Sequence, residues 1–96
     1  MKKISNYIGG KHCEPHNQEY IDNVDPATGE VYSLIPNSSS EDIEKAVLSS
    51  QEAFPLWSSM GIEKRSAILM NVADKIESRL EEFVAAESKD NGKPLS

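Results

Sequence analysis

Two histidines and the single cysteine of the chain lie within five positions of one another: His12, Cys13 and His16. Imidazole and thiolate groups are ligands for zinc and copper, so this cluster is a candidate metal site. Its spacing is not that of a standard zinc motif, and no fourth ligand is near in sequence. We therefore predict incidental polar residues on a hairpin, with metal binding as the weaker hypothesis. Cys13 is also a poor candidate nucleophile, because a hairpin tip provides neither an ordered base nor an oxyanion hole.

The sequence lacks the other common signatures of catalysis and nucleotide binding. Gly9-Gly10 belongs to no Gly-x-Gly-x-x-Gly or Gly-Lys-Ser/Thr pattern, and no triad or paired metal-ligand motif is present. We predict that this chain contains no catalytic residue and no cofactor-binding residue.

The first third of the chain has the pattern of two β-hairpins. A β-prone run at 6–8 is followed by Gly9-Gly10, which permits a tight turn, and residues 11–14 return. A second strand at 20–24 is separated from a returning strand at 31–35 by a turn that contains Pro26 and Gly29.

The remaining two thirds have the pattern of helices. Ser38 with Glu41, or Ser39 with Asp42, forms a helix-capping pattern, and the first helix is expected to end at Pro55. Trp57, just after it, is expected to pack in a core.

A second amphipathic helix begins near residue 61 or 62 and continues to a cap at Gly92, followed by Pro94. The apolar stripe keeps its phase through Arg79, which predicts one long helix; a break between Ser78 and Glu81 is the alternative, because helices of this length are unusual in globular domains. The predicted fold is α+β, with two short β-hairpins (1–36) followed by two or three α-helices (37–96).

Composition excludes several classes of partner and location. The chain has 96 residues and a net charge of -6, which disfavours binding to nucleic acid. No apolar run is long enough to span a membrane, and the start does not resemble a secretory signal. A single cysteine excludes an internal disulfide framework, so we expect a cytoplasmic protein.

Several stretches, taken in order, resemble the aldehyde dehydrogenase superfamily. They are residues 6–11, 24–31, 52–57, 64–69 with 72–74, and 87–96. The most specific are the Asp25-Pro26-Ala27-Thr28-Gly29-Glu30 turn, the Arg65-x-x-x-Leu69 helix motif and the Asp90-Asn91-Gly92-Lys93-Pro94 cap. The last stretch is similar to the branch that oxidises muconate-type semialdehydes.

The resemblance implies the first part of an α/β cofactor-binding domain, acting as a scaffold. Members of the family oxidise an aldehyde to a carboxylic acid with NAD or NADP, through a thiohemiacetal on a catalytic cysteine. The family's cysteine, glutamate, oxyanion-hole asparagine and cofactor loop lie downstream of the part that this chain resembles. No cofactor is therefore expected to bind to this chain alone, and Cys13 inherits no role.

The resemblance also implies one site within the chain. A sodium or potassium ion would be held by Asp90 together with the main-chain oxygens of Val24 and Asn23, since oxygen ligands suit a hard cation. The simpler alternative is that Asp90 only helps to end its helix.

The apolar stripes imply a partner. In the family they would be covered by the rest of the dehydrogenase chain, and without that cover we expect the chain to self-associate through its helices. The alternative function is a stand-alone interaction module that docks a partner helix on the stripe at 62–84.

Overall fold

The strands occupy the first 36 residues of the computed structural model, which describes residues 1–95. They are β1 (Lys2–Lys3), β2 (Asn6–Ile8), β3 (Lys11–Cys13), β4 (Tyr20–Val24) and β5 (Val31–Pro36). β2 and β3 form an antiparallel pair, and β4 and β5 form a second one, so both predicted hairpins are confirmed. Gly9 and Gly10 have φ angles of 62° and 78°, the left-handed geometry that the first turn requires.

The two-residue strand β1 was not predicted. It pairs in parallel with β5, with Lys2 opposite Ser33, and completes a sheet of order β1-β5-β4. Two consecutive lysines show no alternation of apolar and polar residues, so the sequence carries no period-2 signal there.

Three helices follow: α1 (Ser40–Ser59), α2 (Ile62–Ser78) and α3 (Leu80–Asn91). The predicted end of the first helix at Pro55 is wrong, because α1 continues for another turn and includes Trp57. Proline removes one backbone hydrogen bond, to the carbonyl four residues earlier, but its fixed φ angle is compatible with a helix. The last turn remains bonded, since the Met60 N–H donates to the Trp57 carbonyl at 3.2 Å.

The structure has a break at Arg79, so the single long helix is wrong and the alternative of two helices is confirmed. The Arg79 φ and ψ angles of -121° and 29° lie outside the helical region, and the Ser78 hydroxyl donates to the Lys75 carbonyl at 2.8 Å. A side chain that bonds a carbonyl in its own helix competes with the regular backbone pattern. The predicted cap is confirmed too, since Gly92 has a φ of 76° and its N–H donates to the Ser88 carbonyl.

The described residues form a thin layer with no apolar core. Its extents are 47 × 38 × 16 Å, and no large hydrophobic side chain among residues 1–95 is buried. The radius of gyration is 16.9 Å, against about 12.5 Å for a compact domain of this length. Trp57 is only half-buried, so the predicted core-packing role is wrong in this layer. No helix in the described part of the chain is long and apolar enough to cross a membrane.

Candidate functional site

The three residues predicted to hold a cation come from two distant parts of the chain. Asp90 lies in the last turn of α3, and Asn23 and Val24 end β4, where a bulge interrupts the pairing with β5. The Asn23 side-chain amide lies 3.3 Å from Asp90 Oδ1. The fold therefore brings Asn23 and Asp90 together across 67 positions of sequence, and it places Val24 next to Asn23 on the strand.

Two residues that the sequence analysis missed complete this cluster, Tyr32 and Ser33 of β5. The Tyr32 hydroxyl donates to Asp90 Oδ1 at 3.2 Å. The Asn23 amide nitrogen also lies 3.0 Å from the Tyr32 hydroxyl and 3.1 Å from the Ser33 hydroxyl. Asn23 is opposite Ser33 in the hairpin register because of the bulge between Asn23 and Val24, a shift that the sequence of the turn did not reveal.

The environment of Tyr32 raises the pKa of its hydroxyl above the ordinary value. Partial burial is the main cause, and the hydrogen bond to the Asp90 carboxylate adds to it because that carboxylate would repel a phenolate. The Lys89 ammonium group lies 4.7 Å from the centre of the Tyr32 ring, within the range of a cation–π contact. Tyr32 therefore remains a protonated donor at neutral pH.

The Asp90 carboxylate is already engaged through one of its two oxygens. Oδ1 accepts from both Tyr32 and Asn23, whereas the hydrogen bonds within residues 1–95 leave Oδ2 without a donor. A carboxylate oxygen such as Oδ2 is a ligand that a hard cation prefers. The Asn23 amide and the Tyr32 hydroxyl both donate to Oδ1, so Oδ2 is the Asp90 oxygen that such an ion would meet.

The cluster of His12, Cys13 and His16 is not assembled into a metal site. His12 Nδ1 is hydrogen-bonded to the Ser5 hydroxyl at 3.0 Å, and His16 Nε2 pairs with Glu41 at 2.9 Å. No group of three or more histidine, cysteine or acidic side chains in the described part of the chain is placed to hold a metal. The arrangement of these side chains therefore gives no support to the weaker hypothesis of zinc or copper binding.

A buried carboxylate, Asp42, connects the loop after β3 to the start of α1. Its Oδ2 accepts the Ser39 N–H at 2.9 Å, and its Oδ1 accepts the His16 N–H at 3.0 Å. The first of these bonds is half of the predicted capping pattern. These bonds, led by the one from Ser39, hold the pKa of Asp42 below its ordinary value although burial opposes them. Asp42 is thus a structural anchor of α1.

The family model described as "Aldehyde dehydrogenase family" matches residues 12–96, most of the chain. The chain belongs to the aldehyde dehydrogenase family. It corresponds to an N-terminal segment of these enzymes, as the resemblance implied. Among curated relatives, it is 53% identical to a 2-aminomuconic semialdehyde dehydrogenase from Mus musculus over 93 residues, and 44% identical to an aldehyde dehydrogenase from Vibrio cholerae over 90 residues.

Solved structures of aldehyde dehydrogenases contain the same fold. The NAD-dependent enzyme of Sinorhizobium meliloti matches 99% of this chain with a TM-score of 0.91 and 34% identity. PnpE in complex with nicotinamide adenine dinucleotide matches 96% with a TM-score of 0.92 and 33% identity. The predicted fold is therefore confirmed as an α+β part of an aldehyde dehydrogenase.

The chain spans only about a fifth of the proteins it matches. The match with the mouse relative includes 97% of this chain but only 19% of that protein. The chain likewise covers 18% of the Vibrio cholerae relative and 20% of the Sinorhizobium meliloti structure. An aldehyde dehydrogenase of ordinary length therefore contains about four further parts of this size.

Proposed function

We propose that this chain is a scaffold segment of an NAD-dependent aldehyde dehydrogenase, which oxidises an aldehyde to a carboxylic acid. The observation that carries the proposal is the uncovered apolar layer, whose backbone matches a fifth of an NAD-dependent enzyme at a TM-score of 0.91. A layer without a core is stable when another part of a protein covers it. The remainder of the dehydrogenase polypeptide is the cover that this match supports.

The size of the uncovered surface agrees with this role. The accessible surface of the described residues is 7724 Å², whereas a compact monomer of 10.6 kDa exposes about 5,500 Å². The difference is well above the roughly 800 Å² that each partner buries in a standard protein–protein interface. Such an area is typical of an obligate contact.

The reaction itself belongs to residues outside this segment. In the proposed mechanism a cysteine thiolate attacks the aldehyde, and the thiohemiacetal transfers hydride to the nicotinamide. A glutamate-activated water then releases the acid from the thioester. Cys13 is unsuited to the nucleophilic role. Its thiol lies on β3 and donates to the Lys11 carbonyl at 3.6 Å, and a carbonyl oxygen is not a base that removes the thiol proton.

The substrate class that the comparisons favour is a muconate-type semialdehyde. Curated relatives from Mus musculus, Homo sapiens and Danio rerio named 2-aminomuconic semialdehyde dehydrogenase are 50–53% identical to the chain.

NAD is the favoured cofactor, since it is bound in the solved PnpE and Staphylococcus aureus betaine aldehyde dehydrogenase structures. A cytoplasmic location is part of the same proposal and depends on the cysteine content alone.

The test measures NADH formation by the purified gene product with a muconate-type semialdehyde, in parallel with the 96-residue chain expressed alone. We expect turnover by a gene product about five times as long as this chain, and none by the chain itself. Cys13→Ser in the gene product is the control and should leave kcat unchanged. A gene product that oxidises no aldehyde, or a 96-residue chain that does so unaided, would refute the proposal.

The cation site is a further part of the proposal. We place a sodium or potassium ion against Asp90 Oδ2 and the main-chain oxygens of Asn23 and Val24. Replacing choline chloride with sodium or potassium chloride at equal ionic strength should raise the Tm of the gene product by mass action. The rise should disappear in Asp90→Asn, and an equal response in both proteins would exclude this site.

The stand-alone interaction module remains the competing function, because α2 is exposed around most of its circumference. It requires a gene product of 10.6 kDa that captures one helical partner on the 62–84 stripe. The mass of the gene product distinguishes the two functions directly.

A further inference from the structure

Arg65 is the one residue of α2 that the layer partly covers. Every other residue of α2 is exposed, whereas Arg65 is half-buried and its Nε atom is shut off from solvent. This Nε has no hydrogen-bond partner within residues 1–95. A buried donor that has lost its water and gained no acceptor carries the full cost of desolvation.

The carboxylates in the described part of the chain leave this guanidinium group uncompensated. The ion pairs within residues 1–95 are His16 with Glu41 and Arg79 with Glu82. Arg79 therefore has an acidic partner, and Arg65 has none. Of the Arg65 nitrogens only Nε is both buried and unpaired, so Nη1 and Nη2 remain accessible to an incoming group.

The charge of Arg65 lies in the middle of an apolar face. Residues that are three, four and seven positions apart share one face of a helix. Around Arg65 these positions hold large apolar side chains, and all of them are exposed: Ile62, Ile68, Leu69 and Val72. A cover that buries these side chains also removes water from the terminal nitrogens of Arg65.

The cost of burying an unpaired charge determines what such a cover must contain. Arginine is almost never buried without a partner, because the desolvation of a lone ion exceeds the gain from packing. A carboxylate compensates the charge and accepts two parallel hydrogen bonds from a guanidinium group. Neutral acceptors would leave the charge in place, so the cover needs an acidic side chain opposite Arg65.

This inference rests on the proposed function, in which the rest of the dehydrogenase chain covers α2. A relative about five times as long as this chain has ample sequence outside it to provide the acid. We propose that an aspartate or glutamate beyond position 96 of the same gene product binds Nη1 and Nη2 of Arg65. This ion pair fixes the position of the cover on α2, because apolar contacts alone are non-directional.

The first test is the structure of the purified gene product. We expect both oxygens of one carboxylate beyond position 96 to lie within about 3.2 Å of Arg65 Nη1 and Nη2. A guanidinium group that meets only water or main-chain carbonyls would overturn the proposal. A partner carboxylate from residues 1–96, or from a second copy of the chain, would overturn it too.

The second test is Arg65→Met in the gene product, which removes the charge and leaves the partner carboxylate buried and unpaired. Hydrogen exchange over residues 62–78, corrected for intrinsic rates, should be at least about 100-fold faster than in the parent at pH 8. The difference should shrink at pH 6. An unpaired buried carboxylate has a raised pKa, so the variant regains stability as the pH falls and the carboxylate takes up a proton.

Lys64→Met is the matched control, because Lys64 is the exposed neighbour of Arg65 and carries the same charge. It should change exchange in α2 little at either pH. Equal behaviour of the two variants at both pH values would overturn the proposal, and if Arg65→Met does not fold, the parent structure decides. A gene product that oxidises no aldehyde would refute the proposed function alone, since neither readout depends on turnover.

Discussion

Asp42 is one of the few buried side chains in residues 1–95, at 7% exposure, and its carboxylate connects two segments that are far apart in sequence. It accepts backbone N–H groups from Ser39 at the start of α1 and from His16 in the loop after β3. Pro15, beside His16, is fully buried at the same place. Charge-assisted bonds to backbone groups are stronger than neutral ones, so Asp42 is the main link between this loop and α1.

We expect Asp42→Ala to speed hydrogen exchange over residues 14–19 and 38–43 of the gene product by roughly tenfold, because both N–H groups lose their acceptor. Glu41→Ala is the matched control. Glu41 pairs with His16 through side chains that are 64% and 65% exposed, and exposed pairs contribute little. Equal effects of the two substitutions would show that Asp42 is not the anchor.

The same carboxylate determines a pH dependence. Hydrogen bonds from Ser39 and His16 lower the pKa of Asp42 in the folded chain below the ordinary 3.8. Because the pKa of Asp42 is lower in the folded chain than in the unfolded chain, the stability that its carboxylate contributes is fully present above the unfolded pKa. That stability is lost as the pH falls through the folded pKa. Protection of the His16 amide, corrected for intrinsic exchange, should therefore stay constant from neutral pH to about pH 4 and fall only below it. A loss of protection near pH 6 would contradict this assignment.

At the level of the elements, turn chemistry was the most reliable guide. Gly9-Gly10 and the Pro26–Gly29 turn predicted two hairpins, and Gly92 with Pro94 predicted a helix end, because each needs a backbone geometry that few other residues adopt. The break at Arg79 was only the alternative to one long helix, because the apolar stripe keeps its phase through that residue and the length of the helix was the sole argument against it. The continuation past Pro55 was missed, since a proline weakens a helix without always ending it. β1 pairs with residues 31 positions away in sequence, Lys2 with Ser33 and Lys3 with Leu34, and a local pattern cannot reveal such a pairing.

Pro55→Ala should strengthen α1 without moving its ends. The substitution supplies an N–H that can donate to the carbonyl of Gln51, four residues earlier. In a helix interior the free energy of alanine is more favourable than that of proline by about 3 kcal/mol. A synthetic peptide of residues 37–60 should therefore show clearly greater helical ellipticity with alanine at position 55. Leu56→Ala, which leaves every backbone donor in place, should change it little. Unaltered ellipticity in the Pro55→Ala peptide would mean that proline is not what limits this helix.

The residues of the candidate cation site were only partly predictable from the sequence. The family resemblance implied that the Asn23 main-chain oxygen and the Asp90 carboxylate share an ion, whereas the contact in the structure is made by the Asn23 side-chain amide, and no local pattern relates positions 67 residues apart. Tyr32 and Ser33 were missed because a tyrosine and a serine in a strand are also ordinary strand residues. Their role becomes visible only when the hairpin register places Ser33 opposite Asn23 and α3 brings Asp90 to the Tyr32 hydroxyl.

At the scale of the whole molecule, the two buried polar side chains Ser33 and Asp42 are hydrogen-bonded within the layer, Arg65 Nε is a buried polar atom without a partner among residues 1–95, and the large apolar side chains are uncovered. Ser33 and Asp42 are buried and bonded, whereas apolar side chains on all three helices are exposed, such as Phe54 at 65%, Leu69 at 61% and Phe83 at 46%. In a self-sufficient small domain the reverse holds, because burial of apolar surface supplies most of the stability. Polar contacts therefore position the elements within the layer. Its stability must come from burial of the apolar side chains under another part of the protein.

This arrangement predicts how the 96-residue chain behaves alone. Its apolar faces have no cover, so light scattering should report a mass of at least two chains at roughly 100 µM, with dissociation on dilution. Each copy carries a net charge of -6, and added salt should favour association because it screens the repulsion between copies. Leu69→Glu on the exposed face of α2 should shift the chain towards monomer, whereas Lys64→Gln, which removes no apolar surface, should not. A compact monomer at this concentration, insensitive to salt, would show that the layer seals its own apolar faces and needs no dehydrogenase to cover them.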